Sequence, residues 1–211
     1  MDLKLFHAAA SPFVRKVVVA ARERGLFERL ELIAAAPLPI RRDPQVARHN
    51  PSGKIPCLLL PDGSALFDSR VITAWIDAQG QDGEALYPVE GEARFRVLTL
   101  EALADSILDA AILLRSEETL RPEPLRWPDW SAGQAAKITA GLDALERSWG
   151  PCLGQSFHAG AIATACALGY LDFRLPGMEW RSGRPALAGW YEQILVRPSM
   201  RLSDPALAAV A

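Results

Sequence analysis

At 211 residues, with 50% hydrophobic and 23% charged, the chain can bury one large core or two ordinary ones and is too apolar to be disordered. A formal net charge of −2 gives no long-range field to gather nucleic acid or acidic lipid, and basic residues form only short clusters such as Arg41-Arg42. Three cysteines without a C-x-x-C pair, and three histidines without ligand spacing, argue against a disulfide framework and a metal site.

The charges of Asp2 and Lys4 interrupt the apolar stretch that a signal peptide needs, and no apolar run is long enough to span a bilayer. The expected setting is the cytoplasm, with neither membrane nor nucleic acid as a partner. Leu3 to Phe6 reads as a short strand. Pro12 opens a helical pattern that Gly25 ends; Val14, Val17, Val18 and Ala21 share one face, while Arg15, Lys16, Arg22 and Arg24 fall mostly on the others. Leu30 to Ala34 is a second strand, and Pro37 to Arg48 is polar and irregular with room for one helical turn. Cys57 to Leu60 and Ala65 to Phe67 flank Pro61-Asp62-Gly63-Ser64, a hairpin signal. A helix from Asp68 to about Ala78 follows, with Val71, Ile72, Trp75 and Ile76 as its expected buried stripe. The order is βαβ followed by ββα, which implies a mixed sheet.

Gly80-Gln81-Asp82-Gly83 breaks the pattern, and strand signals then vanish. Helical periodicity covers Glu90 to about Leu120, Ser131 to Trp149, Ala159 to Phe173 and Pro185 to Val196. The predicted organisation is an α/β domain over residues 1–79, a linker over 80–88 and an all-helical domain over 89–211.

Three short pieces of the first domain carry chemistry. In Ser11-Pro12-Phe13, serine suits the helix cap and proline the first turn. A helix N-terminus also favours an anionic sulfur, so Ser11 can cap and still face a thiolate. In Asn50-Pro51-Ser52-Gly53-Lys54-Ile55-Pro56, Ile-Pro directly before a strand predicts a cis bond. Such a bond turns the backbone N–H and C=O of Ile55 outward, where an extended peptide can pair with them as an added strand. Asp68-Ser69 opens the last helix of the domain. Simple capping accounts for the pair; the alternative is a carboxylate site at the Ser69 hydroxyl and N–H, with Asp68 beside it for an ammonium group.

Together the S-P-F-x-R-K-V, N-P-x-G-K-I-P and D-S stretches resemble the glutathione transferase superfamily in order and spacing. Ala167-Leu168-Gly169-Tyr170-Leu171-Asp172-Phe173-Arg174 resembles the sixth helix of that family. The resemblance covers the whole chain and implies a thioredoxin-like N-terminal domain, an all-helical C-terminal domain, a homodimer, and glutathione as co-substrate with no metal. By the same resemblance, the binding residues are Lys54, Ile55, Pro56, Asp68 and Ser69. Ile55 pairs with the glutathione cysteine, Asp68 and Ser69 hold its γ-glutamyl end, and Ser11 faces the thiol in a bacterial serine-type enzyme. A free thiol titrates near pH ~8.5, and one hydrogen bond to the thiolate, worth roughly 1.5–3 kcal/mol, lowers that value by about one to two. The implied reaction is transfer of the thiolate to a small electrophile, as in detoxification. The rivals are a non-catalytic glutathione-binding or ligand-carrying protein and a disulfide-exchange enzyme; the latter needs a cysteine facing glutathione, and Cys57 falls in an expected core strand.

The sequence departs from the family pattern in two places. Ala8-Ala9-Ala10 leave Ser11 as the only hydroxyl between Met1 and Phe13. At the start of the sixth helix the usual Ser/Thr-x-x-Asp box is replaced by His158 and Ala161, a lost cap costing about 1 kcal/mol. The second substrate is expected between the domains, against the helix from Glu90. There Glu101, Asp105 and Asp109 recur every four residues, as a solvated face with partners such as Arg115 or as a polar wall of a cleft. Trp127 and Trp130 either line that cleft or pack in a loop.

Overall fold

A computed structural model of the chain describes residues 3–208. Contacts divide the described residues into two units: residues 3–87 together with 198–208, and Pro88–Arg197. Residues 198–208, assigned by sequence to the helical domain, therefore group with the first unit.

In the first unit, β1 (Leu3–His7) pairs in parallel with β2 (Leu30–Ala34) and antiparallel with β3 (Cys57–Leu59). β4 (Ala65–Leu66) adds to β3, giving the order β2-β1-β3-β4. Alternation sends Phe6 and Cys57, paired in register, to one face of the sheet. There they meet Val46 of α2 (Pro44–His49), the single turn expected between Pro37 and Arg48. Leu5 and Leu58 point the other way and are fully buried, and α1 (Pro12–Glu23) packs on α3 (Ser69–Gln79).

The face expected for α1 is too narrow. Arg15, Lys16 and Arg24 are all buried, with Lys16 0% exposed. Arg15 is covered because the chain returns over α1 as α9 (Pro198–Arg201). Its guanidinium donates to the Met200 carbonyl at 3.0 Å and to the Ser203 hydroxyl at 3.3 Å, and Ser199 donates to Glu23. Arg24 pairs with Asp77 at 3.1 Å and donates to the carbonyls of Asp77, Gly80, Asp82 and Gly83. In α3 the buried stripe is Ile72, Thr73 and Ile76; Val71, expected inside, is 48% exposed, because the i, i+4 pair Ile72–Ile76 sets the inward phase.

In the second unit, α4 (Gly91–Thr119) packs along α5 (Pro128–Ser148) and α7 (Ala159–Arg174), with α6 (Gly150–Leu153) and α8 (Pro185–Leu195) beside them. α7 is buried on every side from Ala159 to Leu171. It approaches α4 closely because Gly160 has no side chain: a Cβ there would lie 2.9 Å from the Val97 carbonyl oxygen. Two expectations change here. Glu101 and Asp105 are buried rather than solvated, and only Asp109 of that series is exposed. α5 starts at Pro128, since Glu117 accepts the Trp127 N–H at 2.9 Å and proline suits the next position, so Trp130 is helical rather than in a loop.

The cap of α7 is present after all. His158 Nδ1 accepts the Ala161 N–H at 3.1 Å, doing with an imidazole lone pair what the missing Ser/Thr would do with a hydroxyl. Since Nδ1 is the acceptor, the ring proton sits on Nε2, which lies 3.1 Å from the Cys152 carbonyl and donates to it. Burial pushes the His158 pKa down, consistent with a neutral ring. Among the described residues, no helix is long and apolar enough to cross a membrane.

Candidate functional site

Register brings the three sequence pieces to one end of the sheet. Phe6 pairs with Cys57, so the turn after His7, which ends at Ser11, lies beside the segment that leads into Cys57, Lys54-Ile55-Pro56. Leu66 pairs with Leu58, so β4 also leaves the sheet at this end and delivers Asp68-Ser69 next to the same segment.

Ser11 is the N-cap of α1. Its backbone is extended (φ −82°, ψ 119°), and its hydroxyl oxygen accepts the Val14 N–H at 3.3 Å. That bond uses a lone pair and leaves the hydroxyl proton free to be donated elsewhere. The Ser11 N–H is held by Ala8 at 2.9 Å, which closes the alanine turn in front of it.

The Ile55–Pro56 bond is cis, as expected from the sequence. The backbone N–H and C=O of Ile55 form no hydrogen bond among the described residues. Lys54 is exposed, and its carbonyl accepts from the Asn50 side-chain amide at 2.8 Å. Asn50 was read from the sequence only as part of a motif, yet it organises this loop. It is 2% exposed, and its Oδ1 accepts from the Ser52 N–H at 3.0 Å and the Ser52 hydroxyl at 2.8 Å. Gly53 completes the turn at φ +69°, where a β-carbon would be strained. The Asn-Pro-x-Gly spacing is the signal from which this role could have been drawn.

Asp68 caps α3: its carboxylate accepts the Arg70 N–H at 2.9 Å and pairs with the Arg70 guanidinium at 3.2 Å. Ser69, the first residue of α3, is 2% exposed, and its hydroxyl forms no hydrogen bond among the described residues. A hydroxyl at a helix N-terminus, without a partner among the described residues, suits an anionic oxygen.

Cys57 lies in the core of the sheet at 0% exposure, and burial pushes its thiol up to about 11. Cys152 and Cys166 are also buried and form no disulfide among the described residues. Among the described residues, no group of three or more His, Cys, Asp or Glu is arranged to hold a metal.

Residues 10–79 match the N-terminal domain of glutathione S-transferases, and residues 128–193 match their C-terminal domain. The GST-like protein YibF of Escherichia coli (strain K12) is 35% identical over 206 residues, covering 96% of this chain and 98% of that protein. A glutathione transferase family member from Pseudomonas fluorescens Pf-5, solved with bound glutathione, is 47% identical with a TM-score of 0.95 over 97% of this chain and 99% of that one. A structure from the same organism, with bound S-(propanoic acid)-glutathione, is 46% identical with a TM-score of 0.90 over 97% and 100%. With a thioredoxin-like first unit, a helical second unit and matches along nearly its whole length, this chain belongs to the glutathione S-transferase family.

Proposed function

We propose that the chain binds glutathione at the sheet end formed by Ser11, Lys54–Pro56 and Asp68-Ser69, and activates its thiolate for transfer to a small electrophile. The observation that carries this reading is the convergence of unused backbone and side-chain groups there. Ile55 offers an N–H and a C=O, and Ser69 a hydroxyl, all without a partner among the described residues. Those groups match an extended peptide with a terminal carboxylate. The glutathione seen in the Pseudomonas relative supports the same ligand here.

Ile55 takes the cysteine backbone of the peptide, Ser69 takes the γ-glutamyl carboxylate, and Asp68 is the counterpart for its ammonium group. Asp68 then exchanges its exposed Arg70 contact for the ligand. Lys54 is the cation beside the docked segment, and Pro56 fixes the turn into β3. Ser11 holds the thiolate by donating its spare proton, which favours the charged form of the sulfur at neutral pH. Ser11 is a donor here, not a nucleophile. The alternative, a binding protein without catalysis, draws on the cap bond from Val14, which can be the only role of Ser11. In either case we propose a cytoplasmic homodimer.

Replacement of Ser11 by alanine separates the two. If Ser11 donates to the sulfur, glutathione affinity stays nearly intact while the bound thiol pKa rises by about one or more, equivalent to ~1.4 kcal/mol. Conjugation of an aryl halide at neutral pH falls about tenfold and recovers in alkaline buffer. A cap alone predicts a lower melting temperature with an unchanged thiol pKa. Ultraviolet titration of the bound thiolate in both proteins reads the difference.

A further inference from the structure

The second unit holds two arginines, Arg115 and Arg174, that no carboxylate among the described residues neutralises. Gly160 of α7 lies against Val97 and Leu100 of α4, and the two helices run on from there side by side. At 1.5 Å per residue, Arg174 sits about 21 Å beyond Gly160 and Arg115 about 22 Å beyond Leu100, so both reach the same level of the pair. Tyr170 is one turn before Arg174 on the same face of α7. Both guanidiniums act electrostatically on the Tyr170 hydroxyl, and Arg115 also acts on Arg174.

Neither arginine forms an ion pair among the described residues. The carboxylates nearest in sequence are engaged elsewhere: Asp172 accepts from Arg181 at 2.6 and 2.8 Å and from the Trp180 indole at 2.7 Å, and Glu117 is taken by Arg121 at 2.7 Å. The Arg174 guanidinium is propped over the Phe173 ring at 4.1 Å. Tyr170 itself is 7% exposed, and its hydroxyl donates no hydrogen bond among the described residues. Two half-buried like charges on neighbouring helices, each acting on the same tyrosine hydroxyl and neither paired with a carboxylate among the described residues, suit an anion.

We propose that Arg115, Arg174 and Tyr170 form a binding site for a small organic carboxylate. This binding does not depend on the transferase reading above. The two guanidiniums offer forked donors to the carboxylate oxygens, and the tyrosine hydroxyl donates a further bond.

The test uses two probes of equal size, 4-chloro-3-nitrobenzoate and its neutral amide, titrated calorimetrically into the whole protein without glutathione. The expected result is benzoate binding at least tenfold tighter than amide binding. Arg115→Gln and Arg174→Gln should each weaken the benzoate about tenfold and move the amide less than twofold, and Tyr170→Phe should weaken the benzoate severalfold. Should a glutamine variant fail to fold, Arg115→Lys and Arg174→Lys keep the charge and should retain most of the preference. Equal affinity for the two probes, no measurable benzoate binding, or benzoate affinity unchanged in the variants would overturn the proposal.

Discussion

Acidification should loosen the helical unit through a single ring. His158 caps α7 with Nδ1 and donates from Nε2 to Cys152, so its fold requires the neutral imidazole. Burial holds its pKa below the ordinary value. In the unfolded chain the ring takes up a proton near pH ~6.5. As pH falls through that value the unfolded state binds more protons than the folded one, and stability drops by up to about 1.4 kcal/mol per pH unit from this group. Above that region the contribution is fully present. His158→Ala removes the cap, worth about 1 kcal/mol, and the Cys152 bond, worth about 1 more, and leaves a cavity, for a loss of about 2–4 kcal/mol at pH 7.5. His158→Ser restores the cap but neither the Cys152 bond nor the lost volume, and should cost about 1–3 kcal/mol. Urea unfolding of wild type and both variants at pH 7.5 and 5.5 measures these quantities. His7 is also pushed down by burial and is common to all three, so the difference between proteins isolates His158. Equal pH dependence in wild type and His158→Ser, or an alanine variant as stable as wild type, would refute the reasoning.

Ser69→Ala should weaken glutathione binding by about 1–2 kcal/mol, the scale of a hydrogen bond to a charged group, and calorimetry with unchanged affinity would move the carboxylate site elsewhere. Asn50→Ala leaves the Ser52 and Lys54 groups without their partner and should cost about 2–3 kcal/mol of stability along with glutathione affinity, read by urea unfolding and by titration. Cys57 should resist a thiol reagent at pH 8 in the native protein and react once the chain is unfolded, because it is buried and titrates at about 11; rapid native labelling at that position would contradict the burial.

Most of the first unit was legible because its signals are local. The hairpin at Asp62-Gly63, the Ser11 and Asp68 caps and the Ile55-Pro56 motif each depend on a few neighbouring residues. The meeting of the three site pieces was also legible, since strand order and register follow from the βαβ-ββα sequence. What escaped was set at a distance. Arg15 is buried by Met200 and Ser203, some 185 and 188 positions away, and no periodicity within α1 carries that information. His158 read as a missing cap because the familiar pattern has a hydroxyl there. An imidazole serves only when its proton is drawn to the other nitrogen, and the group that draws it, the Cys152 carbonyl, lies outside the motif. Burial of Glu101 and Asp105 follows from the packing of a 29-residue helix whose own pattern is weakly one-sided.

The Gly80–Gly83 stretch has the composition of a tether, yet Arg24 grips it. One guanidinium collects carbonyls from Asp77 through Gly83, and the Asp77 carboxylate in turn accepts the Leu86 and Tyr87 N–H groups at 2.7 and 3.1 Å. Anyone dissecting the protein at its glycines would therefore cut through a knot. A fragment stopped at Gln79 strands a desolvated cation beside the carbonyls it has lost, whereas one carried through Tyr87 keeps the knot tied. Proteases that favour glycine-rich turns should likewise find this one closed, and first cleavage belongs elsewhere on the chain.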